Sequence, residues 1–397
     1  MDGARTRGQA AALGAISAMI QGSAPHAILL TGPDGVGKTT LALDLAAGLL
    51  CTAAPEERPC RSCRACRLID RNGHPDLHRL GPAGPGRQVV IGGPGARYRG
   101  VRELIAELSL MPVEGGARVA IIEAADRMNE DAQSALLKTL EEPPMGVVIV
   151  LCADQEDRLM PTVRSRCARV RLGLVGSRDI EAIVADHDLA DPPLAARLGR
   201  LAGGRPGIAL AYARAPEAVL IRAELSRVLL DFTGARPSAR LAAVRGSIPR
   251  ALALSAALAA GDAAQPVART GRKALATDPS TPDAGDDPDE PNGDAGAVGK
   301  GRPIPATDRR RAVEVLLALW MDVARDVALV GSGGGRSVHD TVLLDELEVV
   351  SATIPRGSAA VFLERAARSA ELLASNVSPE LILDATALAW PRSLAAA

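Results

Sequence analysis

The chain has 397 residues, 47% of them hydrophobic, with 46 basic and 47 acidic side chains and a net charge of −1. That is enough chain and apolar surface for two or three domains with ordinary cores, and it excludes a uniformly basic nucleic-acid coat. Aromatic residues make up 2% and lie scattered (Tyr98, Tyr212, Phe232, Trp320, Phe362 and Trp390), which excludes a single-strand binder built on base stacking. No uninterrupted apolar run approaches the ~18 residues of a membrane span, so none is expected. The first residues lack a secretory pattern, and the expected compartment is the cytoplasm. Thiols stay reduced there, so clustered cysteines point to metal rather than disulfides.

In chain order, Gln9 to Ile20 reads as a helix, and Ala27–Thr31 as a buried strand. Gly32-Pro33-Asp34-Gly35-Val36-Gly37-Lys38-Thr39-Thr40 follows directly, and a helical pattern then runs to about Leu50. Strand, glycine-rich loop and helix in that order make a phosphate-binding loop. The glycines let successive amides turn toward an anion, and the helix N-terminus adds its partial positive charge. Lys38 is expected to reach terminal phosphates and Thr39 to place a hydroxyl on Mg²⁺. The candidate nucleotide-binding residues are Gly32, Asp34, Gly35, Val36, Gly37, Lys38, Thr39 and Thr40. The plainer alternative is a glycine turn before an ordinary helix.

Next come Cys51, Cys60, Cys63 and Cys66, spaced C-x8-C-x2-C-x2-C. Four thiolates about 2.3 Å from one ion make a closed tetrahedral zinc site, stapling a polar loop that has little else to fold it. An iron–sulfur cluster is the main rival, but the ferredoxin run wants a further Cys and a Pro where this chain has Asp70 and Arg71. Thiol redox chemistry is a weaker alternative, since that motif belongs at a thioredoxin-type strand–helix junction. His74 and His78 are candidate ligands only if one cysteine is not used; as plain residues they are solvated or strand-end histidines. Cys152 and Cys167 read as core thiols.

A short strand is expected over Asp76–Leu80, a loop over Gly81–Gly100 with a short strand at Val89–Ile91, and an amphipathic helix on Val101, Leu104, Ile105 and Leu108. Arg118–Glu123 reads as a buried parallel strand whose terminal acid, Glu123, lies where a Mg²⁺-facing carboxylate belongs in a doubly wound sheet. Asn129 is expected to cap a helix that Pro143-Pro144 stops. Val147–Cys152 and Ala168–Leu172 complete the sheet, with a helical turn leading into Ser165-Arg166-Cys167 between them. Beyond Leu172 the pattern is helical over 177–187, 192–202, 206–230, 238–260, 309–330, 338–349, 357–375 and 379–390. Residues 261–307, rich in Pro, Gly, Asp and Ala, cannot bury enough to fold and are expected to be a disordered insert.

From Gly32 to Cys167 the sequence resembles the bacterial clamp-loader subunits of DNA polymerase III, nearest the delta prime kind. The phosphate loop, the four-cysteine insert behind its helix, Ser134-Ala135-Leu136-Leu137-Lys138-Thr139-Leu140-Glu141-Glu142-Pro143-Pro144, and Leu159-Met160-Pro161-Thr162-Val163-Arg164-Ser165-Arg166-Cys167 carry the resemblance. It is good over residues 9–210 and looser in the C-terminal helices. It implies an α/β AAA+ P-loop domain, a parallel sheet flanked by helices, over 1–173 with a zinc module at 51–66. A helical lid over 174–232 and an all-α collar domain over 233–397 would follow. The implied partners are the gamma/tau ATPase subunits and delta in a five-subunit ring that sets the sliding clamp on primed DNA, with no membrane. The implied role of Arg166 is an arginine finger acting in trans on a neighbour's ATP; without the motif, a surface salt bridge is the plainer reading.

The chain departs from that family's motors at two places. Their equivalent strand ends in Asp-Glu, the Asp for Mg²⁺ and the Glu for water; here Glu123 is followed by Ala124, which has no proton chemistry. Their lid carries an arginine that senses the γ-phosphate; here Gly207 takes that position, with Arg205 beside Pro206. The expectation is therefore a stator, at most a weak ATPase, that holds ATP or ADP with Mg²⁺ as a structural ligand, if at all, and donates Arg166. The alternatives are an active gamma/tau-type motor, a small-molecule P-loop kinase, and a scaffold without nucleotide.

Overall fold

The structure, a computed structural model, describes residues 3–83, 88–114, 116–263, 304–374 and 377–394. The expected insert at 261–307 lies for the most part, 264–303, outside the described residues. Five strands, β1 (Ala27–Thr31), β2 (Leu77–Leu80), β3 (Arg118–Ile122), β4 (Val147–Ala153) and β5 (Ala168–Arg171), form one parallel sheet in the order β2-β3-β4-β1-β5. Their apolar residues alternate faces, as the pleat requires. Ile28 and Leu30 join Val119, Ile121, Val148 and Val150 in one core, beneath α1 (Ala10–Gln21), α2 (Lys38–Leu50) and α3 (Arg64–Asp70). Ala27 and Leu29 join Ala120, Ile122, Ile149 and Leu151 in the other, covered by α4 (Val101–Leu108) and α5 (Glu130–Glu141). The N-terminal module is thus the expected three-layer α/β fold.

Local signals set most boundaries. The Asn129 side chain accepts the Ala132 amide at 3.0 Å and starts α5. Pro161 opens α6 (Pro161–Arg164), the short turn that delivers Arg166. The segment Val89–Ile91 supplies only an isolated bridge from Val89 to Met128 instead of a strand.

The C-terminal half is helical: α7 (Ser177–Asp186), α8 (Pro192–Leu201), α9 (Pro206–Arg214), α10 (Pro216–Asp231), α11 (Pro237–Ala263), α12 (Ala306–Gly331), α13 (Leu344–Thr353), α14 (Ser358–Ala374) and α15 (Pro379–Leu388). Two expectations need correction. The run 206–230 is two helices, because Pro216 ends the ladder and leaves Ala215 at φ −130°, ψ 75°. The helix expected from 338 begins at Leu344, since Asp340 accepts the Val342 amide and caps a 3₁₀ turn instead. One apolar core runs from Val175 to Trp390, so segments on both sides of residue 232 share it. Phe232 meets Trp320 edge-on at 6.1 Å and Phe362 meets Trp390 at 4.8 Å, while the Trp390 indole donates to Thr233 Oγ1 at 3.0 Å. Against the expectation of no such segment, residues 237–261 of α11 are long and apolar enough to cross a membrane. Here Val244, Ala251 and Leu254 of that helix pack in the shared core, and Arg240 is buried with its guanidinium on the Trp390 carbonyl at 2.7 Å.

Candidate nucleotide and metal sites

The strand order puts the loop after β1 between β4 and β5 at the sheet's C-terminal edge, where ligands of open parallel sheets bind. β4 lies on one side, in register Thr31 with Ala153, so Asp154 stands next to Gly32; β3 is one strand further, with Glu123 just past its end. Val36 is buried beneath the loop, Asp34 is exposed, and Gly37 (φ +101°) caps α2, whose first turn holds Lys38, Thr39 and Thr40. The loop has the form of a phosphate cradle, but its lysine is already engaged. Lys38 Nζ donates to the Gly32 carbonyl at 2.8 Å and the Pro33 carbonyl at 2.7 Å, and pairs with Asp154 Oδ1 at 2.6 Å.

The acids divide differently from the expectation. Glu123 Oε1 accepts from Arg79 Nε at 2.8 Å, so its carboxylate is held by a guanidinium on β2. Ala124, at φ +52°, has only a methyl group and nothing polar to offer water. Asp126, two residues beyond Ala124, turns back into the edge of the sheet. It is buried, its Oδ1 accepts the Asp154 amide at 3.2 Å, and burial, then the Asp154 charge, push its carboxyl above the usual range. Asp154 is thus the carboxylate paired with Lys38, and Asp126 is hydrogen-bonded to the Asp154 backbone behind it. Sequence reasoning passed over Asp154, although an acid one residue past a buried strand of a parallel sheet is a signal in itself.

The start of α9 reaches the loop directly. The Gly207 amide at the start of α9 donates to the Gly35 carbonyl at 2.9 Å. A Cβ on Gly207 would stand 3.2 Å from Gly35 Cα, so any larger residue there would push the two backbones apart by a few tenths of an ångström. Arg205 turns away, its Nε donating to the Ala202 carbonyl at 3.3 Å.

Arg166 lies beyond the C-terminus of α6, its side chain 34% exposed. Nη2 pairs with Glu141 Oε1 at 2.6 Å and Nη1 donates to the Thr162 carbonyl at 2.9 Å. Glu141 belongs to the EEPP end of α5, so the two motifs most specific to the resemblance touch. Cys167, half-buried, donates its S–H to the Val163 carbonyl at 3.2 Å; Cys152 is core, its thiol pushed up to about 12 by burial.

Behind α2, Cys51, Cys60, Cys63 and Cys66 place their Sγ atoms within 4.8 Å of one another, with Cys51 to Cys60 at 3.5 Å and Cys51 to Cys63 at 3.9 Å. Sulfurs about 2.3 Å from a tetrahedral ion are spaced ~3.8 Å apart, so the donor set fits zinc. The Cys63 amide donates to Cys60 Sγ and the Cys66 amide to Cys63 Sγ, each at 3.4 Å, which favours thiolates. The Ser62 hydroxyl and the neighbouring amides draw the Cys60 thiol down to about 6. His74 and His78 lie outside the cluster: His74 Nδ1 accepts the Asp76 amide at 3.1 Å, and His78 Nδ1 meets Glu107 at 2.7 Å. The module is pinned by Asp44, fully buried in α2, which accepts the Thr6 hydroxyl at 2.7 Å, the Thr6 amide at 2.9 Å, the Arg5 amide and the Arg61 guanidinium.

Residues 9–175 match the family model described as "DNA polymerase III, delta subunit". The delta prime subunit of Pseudomonas aeruginosa DNA polymerase III is 37% identical over 183 residues, 46% of this chain and 53% of its own. That of Escherichia coli is 34% identical over 194 residues, 48% of this chain and 55% of its own. The gamma/tau subunit of Mycobacterium tuberculosis is 32% identical over 171 residues, 42% of this chain and 28% of its own. The chain spans about half the length of the delta prime subunits it matches. Over residues 9–175 the chain is thus similar to subunits of DNA polymerase III, the delta prime subunits among them.

Proposed function

We propose that the chain is a clamp-loader subunit of the delta prime kind, cytoplasmic, and that it assembles with gamma/tau and delta subunits to set a sliding clamp on primed DNA. Its three parts are the sheet module 1–173, a lid 174–232 and a collar 233–397. Arg166 is its contribution to chemistry: a half-exposed guanidinium, held rigid by Glu141 and the Thr162 carbonyl, meets a neighbour's γ-phosphate and stabilises charge that develops during transfer. The observation that carries a stator over a motor is Ala124, which leaves the strand end without the residue that activates water, while Glu123 is occupied by Arg79. The loop at Gly32–Thr40 holds ATP or ADP with Mg²⁺ as a structural ligand. Cys51, Cys60, Cys63 and Cys66 hold zinc, whose four closed ligand positions make it structural.

In a reconstituted loader, Arg166→Ala is expected to depress DNA-stimulated hydrolysis at the site it serves to near background, since such an arginine is worth about 10³–10⁵ in kcat. Zinc content, folding and nucleotide binding by this chain stay unchanged. Undiminished turnover at that site would remove the finger, and brisk ATPase by the isolated chain would favour the motor reading instead.

A further inference from the structure

We infer that the phosphate loop of this chain is held shut by two latches, Asp154 on Lys38 and Gly207 on Gly35, and that a nucleotide enters only by displacing both. The inference rests on the reading of Gly32–Thr40 as a nucleotide site and says what controls it.

The first latch is one of donor count. An ammonium has three N–H donors and no more. Lys38 uses them on two carbonyls of its own loop, at 2.8 and 2.7 Å, and on Asp154 Oδ1 at 2.6 Å. Lys38 is 8% exposed, so little water competes for it, and the Asp154 carboxylate takes the place a phosphate oxygen would take. A triphosphate must therefore evict a carboxylate, and while Asp154 remains beside the loop its charge opposes the incoming anion.

The second latch is backbone on backbone. The Gly207 amide donates to Gly35 O at 2.9 Å in the middle of the cradle, and Gly35 in turn has Ile208 Cγ1 and Arg205 Cβ against the position of its absent Cβ, at 3.2 and 3.4 Å. The turn that bears Gly207 is seated at two further places. The Gly204 carbonyl accepts the Val175 amide at 2.8 Å, and the His339 ring lies against Gly203, 3.0 Å from where a Cβ would be. His339 belongs to the helical half, its amide donating to Asp326 Oδ2 on α12 at 2.9 Å. The loop, the lid turn and α12 are thus joined in series through Gly35, Gly207, Gly203 and His339, so that filling the cradle moves the lid turn against the helical half. This ties occupancy of the pocket to the posture of the C-terminal helices, without any hydrolysis by this chain.

Calorimetric titration of the full chain with MgATP and MgADP tests this. Asp154→Asn keeps the shape and removes the charge; it is expected to tighten MgATP binding about tenfold, in the range of ordinary site-to-site coupling. Gly207→Ala, which separates the backbones, tightens binding independently of Asp154 and guards against a folding defect in the first variant. Adding Lys38→Ala to Asp154→Asn abolishes the gain and ties it to this loop. In the unsubstituted chain, saturating MgATP raises amide exchange at Gly207. Binding by the unsubstituted chain as tight as by both single variants, or weaker binding by Asp154→Asn as expected of a lost Mg²⁺ ligand, overturns the latches and leaves the nucleotide site standing. Absence of binding by every variant overturns the site and the latches together.

Discussion

The two ligand motifs of the N-terminal module stand on opposite ends of the same helix, and the fold treats them oppositely. At the C-terminal end of α2 the four cysteine sulfurs converge within 4.8 Å, their amide donors in place, and Asp44 ties their loop to the helix and to the N-terminal segment. At the N-terminal end the phosphate loop has the right backbone, but Lys38 is satisfied by Asp154 and the start of α9 sits on Gly35. One motif is assembled for its ligand; the other is filled by the protein itself. A motif therefore reports the capacity to bind, and the groups packed against it decide whether that capacity is available.

The cysteine side of this contrast should give the largest effects. Purified protein is expected to carry one zinc per chain, and Cys63→Ser to lose it. Structural zinc contributes about 10 kcal/mol or more to small modules that fold on it. Even a few kcal/mol lost here lowers Tm by roughly 10 °C, at 2–4 °C per kcal/mol for chains of this order. Metal-free protein with an unaltered melt would break the comparison. Asp44→Ala comes next. It leaves the Arg61 guanidinium and the Thr6 amide without their buried partner, and removing one member of such a pair costs about 3–5 kcal/mol. Urea unfolding followed by circular dichroism reads this; a cost under about 1 kcal/mol would mean that the cysteine loop holds itself without α2.

Much of this architecture is legible in the sequence because it is local. Strand faces follow from alternation, so Ile28 and Leu29 could be assigned to opposite cores without coordinates. Asn129 announces its cap, and the C-x2-C spacing announces the cluster of four cysteines. What was not legible depends on groups far apart in the chain. Glu123 has the right address at the end of β3, and only the pairing of β2 with β3 shows that Arg79 claims it. Asp154 waits for Lys38, and Gly207 meets Gly35, across sequence distances no periodicity spans. Asp44 did leave a trace: an acid inside the apolar run from Leu41 to Ala47 contradicts its helix face unless something buried needs it.

The smallest predicted effect concerns the far support of the lid turn, where a buried carboxyl and a half-buried imidazole have opposed pH dependences. Burial, opposed by the Asp340 and His339 amides and the Arg325 charge, leaves the Asp326 carboxyl pushed up to about 6 from an ordinary 3.8. Burial, with help from Arg325, Arg222 and Arg205 and against Asp322, holds the His339 ring down to about 4 from 6.5. Asp326 binds its proton more readily in the fold, so its contribution to stability is whole below about 3.8 and is lost as pH rises through about 6. His339 binds its proton less readily in the fold, so its contribution is whole above 6.5 and is lost as pH falls through about 4. Between pH 4 and 6 the two slopes oppose, each at most about 1.4 kcal/mol per pH unit, and the unsubstituted chain should be nearly level there. His339→Gln should unmask the first slope, with stability falling as pH rises; Asp326→Asn should unmask the second, with the opposite sign. Tryptophan fluorescence during urea unfolding isolates this half of the molecule, because Trp320 and Trp390, the two tryptophans of the chain, are both buried in the helical core. If both variants stay as level as the unsubstituted chain, neither group titrates with folding, and the seat of His339 on Gly203 is held by packing alone.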